Sequence, residues 1–265
     1  MNVPDGPLDI GRFPDFLIIG PQRTGTTWLH ANLREHPEIF LSRPKEIFYF
    51  SRIKNRDDPK FESADLGWYL RFFSDPLWLY TYKQTMSLTR YRCPYRPRVR
   101  GEATASYAAI DRDVIEDIAT LKPDIKVIMM VRNPIDRAWS HAKKDLSRNR
   151  FRPLDEVGDD EFQAFFRDPY QMQCARYAEC LENWSACLPP ESIMVGRFDD
   201  VATRPEEFLT DALRFIGVSS DPRFMPPAAR EEINPTAAPT VPDRHRAFLE
   251  ELLADELEAW RRQFA

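Results

Sequence analysis

The feature that most constrains this chain is a junction, in which four apolar residues, Phe16-Leu17-Ile18-Ile19, run straight into Gly20-Pro21-Gln22-Arg23-Thr24-Gly25-Thr26-Thr27. An apolar run this short, ended by glycine, reads as a strand buried on both faces of a parallel sheet. The residues from about Thr26 to Glu35 read as the helix that follows. A strand feeding a helix through such a loop gathers backbone N–H groups and the positive helix end around one point, which makes an anion cradle.

The pattern recurs along the chain. Val127–Val131 is a second buried strand, and Arg132-Asn133 leads to Pro134 at a first helical position and a helix reaching about Arg148. Ser192–Phe198 supplies a third strand, and Glu206–Ile216 a helix with Phe208, Leu209, Leu213 and Ile216 at helical spacing, ended by Gly217. Leu249, Leu252, Leu253 and Leu257 mark a terminal amphipathic helix. Alternating strands and helices predict an α/β fold, P-loop-like and three-layered, with a central parallel sheet flanked by helices and a ligand beyond the carboxyl ends of the strands. One domain over residues 1–265 accounts for the length. Residues 51–98, rich in aromatics without a clean period, read as an insertion on the acceptor side with a helical piece over Leu66–Phe73. Residues 219–241 read as a loop closing over the ligand.

The cradle is not a nucleoside triphosphate loop. Its G-x-x-x-x-G spacing resembles a Walker motif, yet Thr26 stands where that motif has lysine, and the loop's one cation is Arg23. A plain helix-capping turn would explain Gly25 and Thr26 but not a cation within the turn. The formal net charge of −5 means that any anion site is a local concentration of Arg and Lys, and it argues against nucleic acid as a partner. Cys93, Cys174, Cys180 and Cys187 show neither a C-x-x-C pair nor histidines at zinc spacing, so no metal site is expected; Cys180 and Cys187 read as packed in a helix, and a disulfide involving Cys93 or Cys174 stays open. Met1–Phe13, with Pro4, Asp5, Pro7 and Asp9, does not read as a signal peptide, and no segment has membrane-spanning length, so the expectation is a cytoplasmic protein without an integral membrane segment.

The run Ile18–Leu29 resembles the 5′-phosphosulfate loop of sulfotransferases that use 3′-phosphoadenosine 5′-phosphosulfate (PAPS), especially the heparan sulfate N- and 3-O-sulfotransferases and bacterial relatives. The resemblance implies that Arg23, Thr24, Gly25, Thr26 and Thr27 hold the 5′-phosphosulfate and that Trp28 stacks on adenine. Arg23 takes the place of a lysine common in the heparan enzymes. Val131-Arg132-Asn133-Pro134-Ile135-Asp136-Arg137-Ala138-Trp139-Ser140 resembles the family's 3′-phosphate motif, giving Arg132 and Ser140 that phosphate; Arg137 and Lys143 read as solvated helix cations.

Lys45-Glu46-Ile47-Phe48-Tyr49-Phe50 resembles the family's K-E-x-x-F-F segment, which implies Glu46 as general base and Lys45 as an orienting cation. The bland reading is a surface Lys-Glu pair before an aromatic strand. His30, His36, His141 and His245 read as structural or exposed. Gly101–Tyr107 resembles a G-E-K-[ST]-P-S-Y segment bordering the acceptor cleft, with Ala103 in place of its lysine. Tyr177–Trp184 and Phe198–Val201 extend the likeness to about Val218, and Arg230 is the candidate for closing over the 3′-phosphate. The implied activity is sulfuryl transfer from PAPS, without a metal, to a hydroxyl or amine of a glycan, glycolipid or glycosylated small molecule. The alternatives are a P-loop kinase of a small metabolite and a non-catalytic nucleotide- or glycan-binding module.

Overall fold

The computed structural model describes residues 9–230 and 240–264. Five parallel strands, β1 (Phe16–Ile19), β2 (Ile39–Leu41), β3 (Val99–Ala103), β4 (Lys126–Val131) and β5 (Ile193–Arg197), form one sheet in the order β2-β3-β1-β4-β5. The register sets Ile18 beside both Ala103 and Ile128. β2 and β3 were not among the expected strands. β2 has only three residues, and β3 carries Arg100, Gly101 and Glu102, which hide its apolar pattern.

Both faces of the sheet are covered, as an all-parallel sheet requires. Phe16 and Ile18 face one layer, with helix α1 (Thr26–Leu33) supplying Leu29 and Leu33 and a later helix, Pro205–Ile216, supplying Phe208 and Leu213. Leu17 and Ile19 face the other, where Ile115 of Arg112–Leu121 and Trp184 of Tyr177–Ser185 pack. That second layer also takes Tyr69 and Phe73, so part of segment 51–98 is core. The same segment contains a long helix, α2 (Leu77–Tyr91), that its composition did not announce.

Several boundaries differ from the sequence reading. The helix beginning at Pro134, α3, is regular only to Ala142 and continues through a wider π turn, Lys143–Ser147. Cys187 lies beyond the helix that holds Cys180, and all four cysteines are free thiols. The terminal segment is two helices, Asp243–Leu252 and Ala254–Gln263. Residues Ile47–Phe50 are not a strand: Tyr49–Arg52 is a single helical turn.

The topology creates a crevice. After β1 the chain leaves toward β2, and after the adjacent β4 it leaves toward β5, so the two exits diverge at their carboxyl ends. Such a divergence is where ligands bind in open α/β sheets. Gly20 makes the exit from β1 possible: at φ 135°, a Cβ there would lie 2.3 Å from the Met130 carbonyl oxygen. Gly20→Ala is therefore expected to lower stability by about 3 kcal/mol, from backbone strain and overpacking together, read as a fall in the urea unfolding midpoint. An unchanged midpoint would contradict that close approach.

Candidate active site

The loop after β1 is held by its own atoms. Thr24 Oγ1 donates to the Pro21 carbonyl at 2.8 Å, and Gly25, at φ 97°, caps α1 without a side chain over the first-turn amides. Arg23 also lies in the left-handed region, at φ 77°, which a side-chain-bearing residue occupies at a cost that the surrounding structure must meet. Thr24 and Thr26 are buried, and Thr27 is half-buried.

The loop after β4 meets this one directly. Arg23 Nε donates to Ser140 Oγ at 2.9 Å, and Arg132 Nη1 donates to the Arg23 carbonyl at 3.2 Å. Phe198, at the end of β5, lies under the Arg132 guanidinium at 4.0 Å. Asn133 caps α3, accepting from the amides of Ile135 and Asp136 at 3.0 and 3.3 Å, so the strand-to-helix turn has a fixed shape.

Positive charge is concentrated here. Burial lowers the pKa of Arg23, and the neighbouring Arg132 and Arg148 lower it further against an opposing pull from Asp145. Lys143 is lowered by burial and then by Arg132 and Arg23. Cations crowded closely enough to lower Arg23 and Lys143 at the carboxyl edge of a sheet favour an anion between them.

Two residues read as solvated cations are not. Lys143 is buried, and Arg137 is 1% exposed, donating to the Gln171 side chain and carbonyl at 3.3 Å each. Arg137 braces α3 against the turn Pro169–Gln173, and spacing alone does not distinguish an inward from an outward arginine. Trp28 is also buried, tilted against Phe208 with ring centroids 6.1 Å apart. Arg230 ends the turn Pro227–Arg230, but its side chain and residues 231–239 of the expected closing loop lie outside the described residues.

On the other side of β1, Lys45 Nζ and Glu46 Oε1 pair at 3.0 Å, each side chain about four-fifths buried (18% and 21% exposed). Glu46 is at φ 67°. Its loop hangs on the end of β3: Glu46 N donates to the Ala103 carbonyl at 3.1 Å, Ile47 N to Thr104 Oγ1 at 3.2 Å and Phe50 N to the Tyr107 hydroxyl at 3.3 Å. All four histidines are buried, and burial with Lys45, Arg34 and Arg43 nearby holds His30 down to about 4, so it is neutral at physiological pH. Between these segments a cavity of about 280 Å³ opens, lined by Gln22, Phe50, Ser106, Tyr170 and Cys174 among others. Its one lysine, Lys54, is held by Asp111 and Asp113 at 2.9 and 2.5 Å.

Beneath the Glu46 loop sits Glu102, a residue to which the sequence reading gave no role. It is wholly buried, accepts from Thr104 Oγ1 at 2.6 Å and from the Tyr69 hydroxyl, and burial raises its carboxyl to about 7 against those hydrogen bonds. Unfolded, the group titrates near 4.5. The folded protein therefore holds the extra proton between these values, and stability falls as pH rises through that window. The contribution is roughly 3 kcal/mol. Urea unfolding from about pH 5 to pH 8 should show Glu102→Gln lacking that slope, whereas parallel slopes in the two proteins would refute the shift.

Among the described residues no group of three or more His, Cys, Asp or Glu is placed to hold a metal. Comparisons with known proteins converge on one family. A family model described as "Sulfotransferase family" matches residues 14–222. The mouse bifunctional heparan sulfate N-deacetylase/N-sulfotransferase 3 is 26% identical over 221 residues, covering 78% of this chain but 23% of that protein. The chain thus spans under a quarter of that relative's length. A sulfotransferase from Alicyclobacillus acidocaldarius superposes with a TM-score of 0.62 at 25% identity, over 95% of this chain and 97% of that one. A mouse sulfotransferase complexed with PAP shares the fold, with a TM-score of 0.50 at 15% identity over 95% and 89% of the two chains. The family match begins just before β1, takes in both anion loops and the Glu46 segment, and runs past the fifth strand: the chain belongs to the sulfotransferase family.

Proposed function

We propose that this protein transfers a sulfuryl group from PAPS to a hydroxyl or amine of a glycan, glycolipid or glycosylated small molecule, and that residues 1–265 act as one catalytic domain. The observation that carries the reading is the direct contact of the two loops, Arg23 on Ser140 and Arg132 on the Arg23 carbonyl, where burial and then Arg132 lower the pKa of both Arg23 and Lys143. One bisphosphorylated nucleotide can engage both loops at once.

PAPS supplies a sulfuryl group whose S–O bond to the 5′-phosphate breaks as the acceptor oxygen or nitrogen bonds to sulfur. Arg23 and the amides of residues 24–27 hold the 5′ end and stabilise the negative charge that grows on the departing phosphate oxygen. Arg132 and Ser140 hold the 3′-phosphate, with Phe198 fixing the guanidinium plane. Glu46 takes the acceptor's proton, Lys45 keeps its carboxylate oriented, and binding in line sets the reacting atoms. Arg230 is retained as a candidate for closing over the 3′-phosphate, and Trp28 as a candidate for stacking on adenine.

The 280 Å³ cavity offers Ser106, Gln22 and Tyr170 to acceptor hydroxyls, and its lysine, Lys54, is already held by Asp111 and Asp113, which favours an acceptor group without an anion there. Calorimetric titration with PAP and with ATP-Mg²⁺, followed by transfer from radiolabelled PAPS to a panel of hydroxylated acceptors, tests the reading. Binding of PAP without metal and label transfer are expected. Phosphoryl transfer from ATP would establish a kinase instead, and PAP binding with no transfer to any acceptor would leave a binding module.

A further inference from the structure

Helix α2 touches the rest of the protein along one line. Leu79, Ser87 and Tyr91 are buried, and Lys83 between them is tied to Asp75 at 2.6 Å and to the Tyr95 hydroxyl at 3.2 Å. The opposite face is open and carries large apolar groups: Leu77 is 81% exposed, Trp78 70%, Tyr82 57%, Leu88 49% and Met86 41%. Exposed side chains of this size, gathered on one helix, mark an interaction surface.

The polar residues of that face do not offer themselves to a ligand. Thr81, Thr85 and Thr89 recur at four-residue spacing, and their hydroxyls donate to the carbonyls of Leu77, Thr81 and Thr85 at 2.9, 3.0 and 3.0 Å. What they present outward is methyl. Internally satisfied hydroxyls are what a helix needs where water is scarce.

Charge supplies the second observation. Residues 77–100 contain Lys83, Arg90, Arg92, Arg96, Arg98 and Arg100 and no Asp or Glu, in a chain whose net charge is −5. Arg90 and Arg98 pair with Glu35 and Glu38, at 3.1 and 3.8 Å, whereas Arg92 and Arg96 are exposed at and beyond the helix's carboxyl end. An uncharged apolar face bordered by arginines matches the boundary between acyl chains and anionic headgroups, with Trp78 and Tyr82 suited to the interface. At 15 residues the helix is too short to span a bilayer and long enough to lie in its plane.

We propose that the outward face of α2 docks this protein on an anionic lipid surface, inserting Trp78, Tyr82 and Leu88 at the headgroup boundary while Arg92 and Arg96 beyond it pair with lipid phosphates and carboxylates. A soluble anionic glycan is the poorer occupant, because the threonine hydroxyls that would bind its oxygens are already used. A second copy of the chain seated on this face would show itself as a dimer without lipid.

The test uses the full chain and does not depend on catalysis. It is sedimented with phosphatidylcholine vesicles with and without phosphatidylserine, beside Trp78→Ser/Leu88→Ser and Arg92→Gln/Arg96→Gln proteins whose melting temperatures are checked against the parent. Binding to the phosphatidylserine vesicles is expected, weakened about thirtyfold by loss of the two arginines and about tenfold or more by loss of the two apolar groups. Quenching of tryptophan fluorescence by brominated lipid should also disappear in Trp78→Phe. Absence of pelleting, binding indifferent to either double substitution, or quenching that survives Trp78→Phe would overturn the proposal. So would a lipid-free dimer, or heparin binding, that Trp78→Ser/Leu88→Ser abolishes.

Discussion

Arg23→Ala protein is expected to turn over about a hundred- to a thousandfold more slowly than the parent, the usual consequence of removing one donor aimed at developing charge. Alanine removes the donor to Ser140 Oγ as well as the cation of the first loop, so PAP affinity should fall too. Lysine at this position restores charge but not the planar fork, and partial rescue of kcat by Arg23→Lys is the expected signature of a cation acting on the leaving oxygen. Turnover equal to the parent in Arg23→Ala would remove the residue from the mechanism. Retained turnover with weakened PAP binding alone would reduce it to a binding group.

Replacing Glu46 by glutamine tests the other half of the reaction. The side chain keeps its shape and can still bond Lys45, but it accepts no proton, so kcat should fall by about two to four orders of magnitude. PAP affinity should stay near the parent value, because Glu46 belongs to the loop hung on the end of β3 and not to either anion loop. An active Glu46→Gln enzyme would transfer the base role elsewhere. The left-handed backbone at both Arg23 and Glu46, on opposite sides of β1, is the kind of locally strained placement that a fold maintains where side-chain direction matters.

How much of this was legible beforehand varies by element. β1, α1 and β4 stand out because a strand buried on both faces leaves an unbroken apolar run, and a helix next to a glycine-bearing loop leaves a fixed spacing. Helix α2 was hidden for the opposite reason: with its apolar residues turned outward and Lys83 and Ser87 turned inward, its pattern runs against ordinary amphipathic expectation. Arg137 and Lys143 were misplaced because a cation's letter does not reveal which way it faces on a helix. Glu102 was passed over because its significance lies in Tyr69 and Thr104, and Tyr69 is far from it along the chain.

Contiguous residues suffice for the parallel α/β architecture and for the two loops at strand ends, because backbone preference and periodicity are local, and the motifs in those loops suffice for the family. Only the tertiary structure decided that Arg23 reaches Ser140, that the Glu46 loop rests on a buried carboxyl group, and that an apolar helix face is left uncovered. These depend on the strand order, which sets β1 between β3 and β4 and so brings together side chains that no local preference connects.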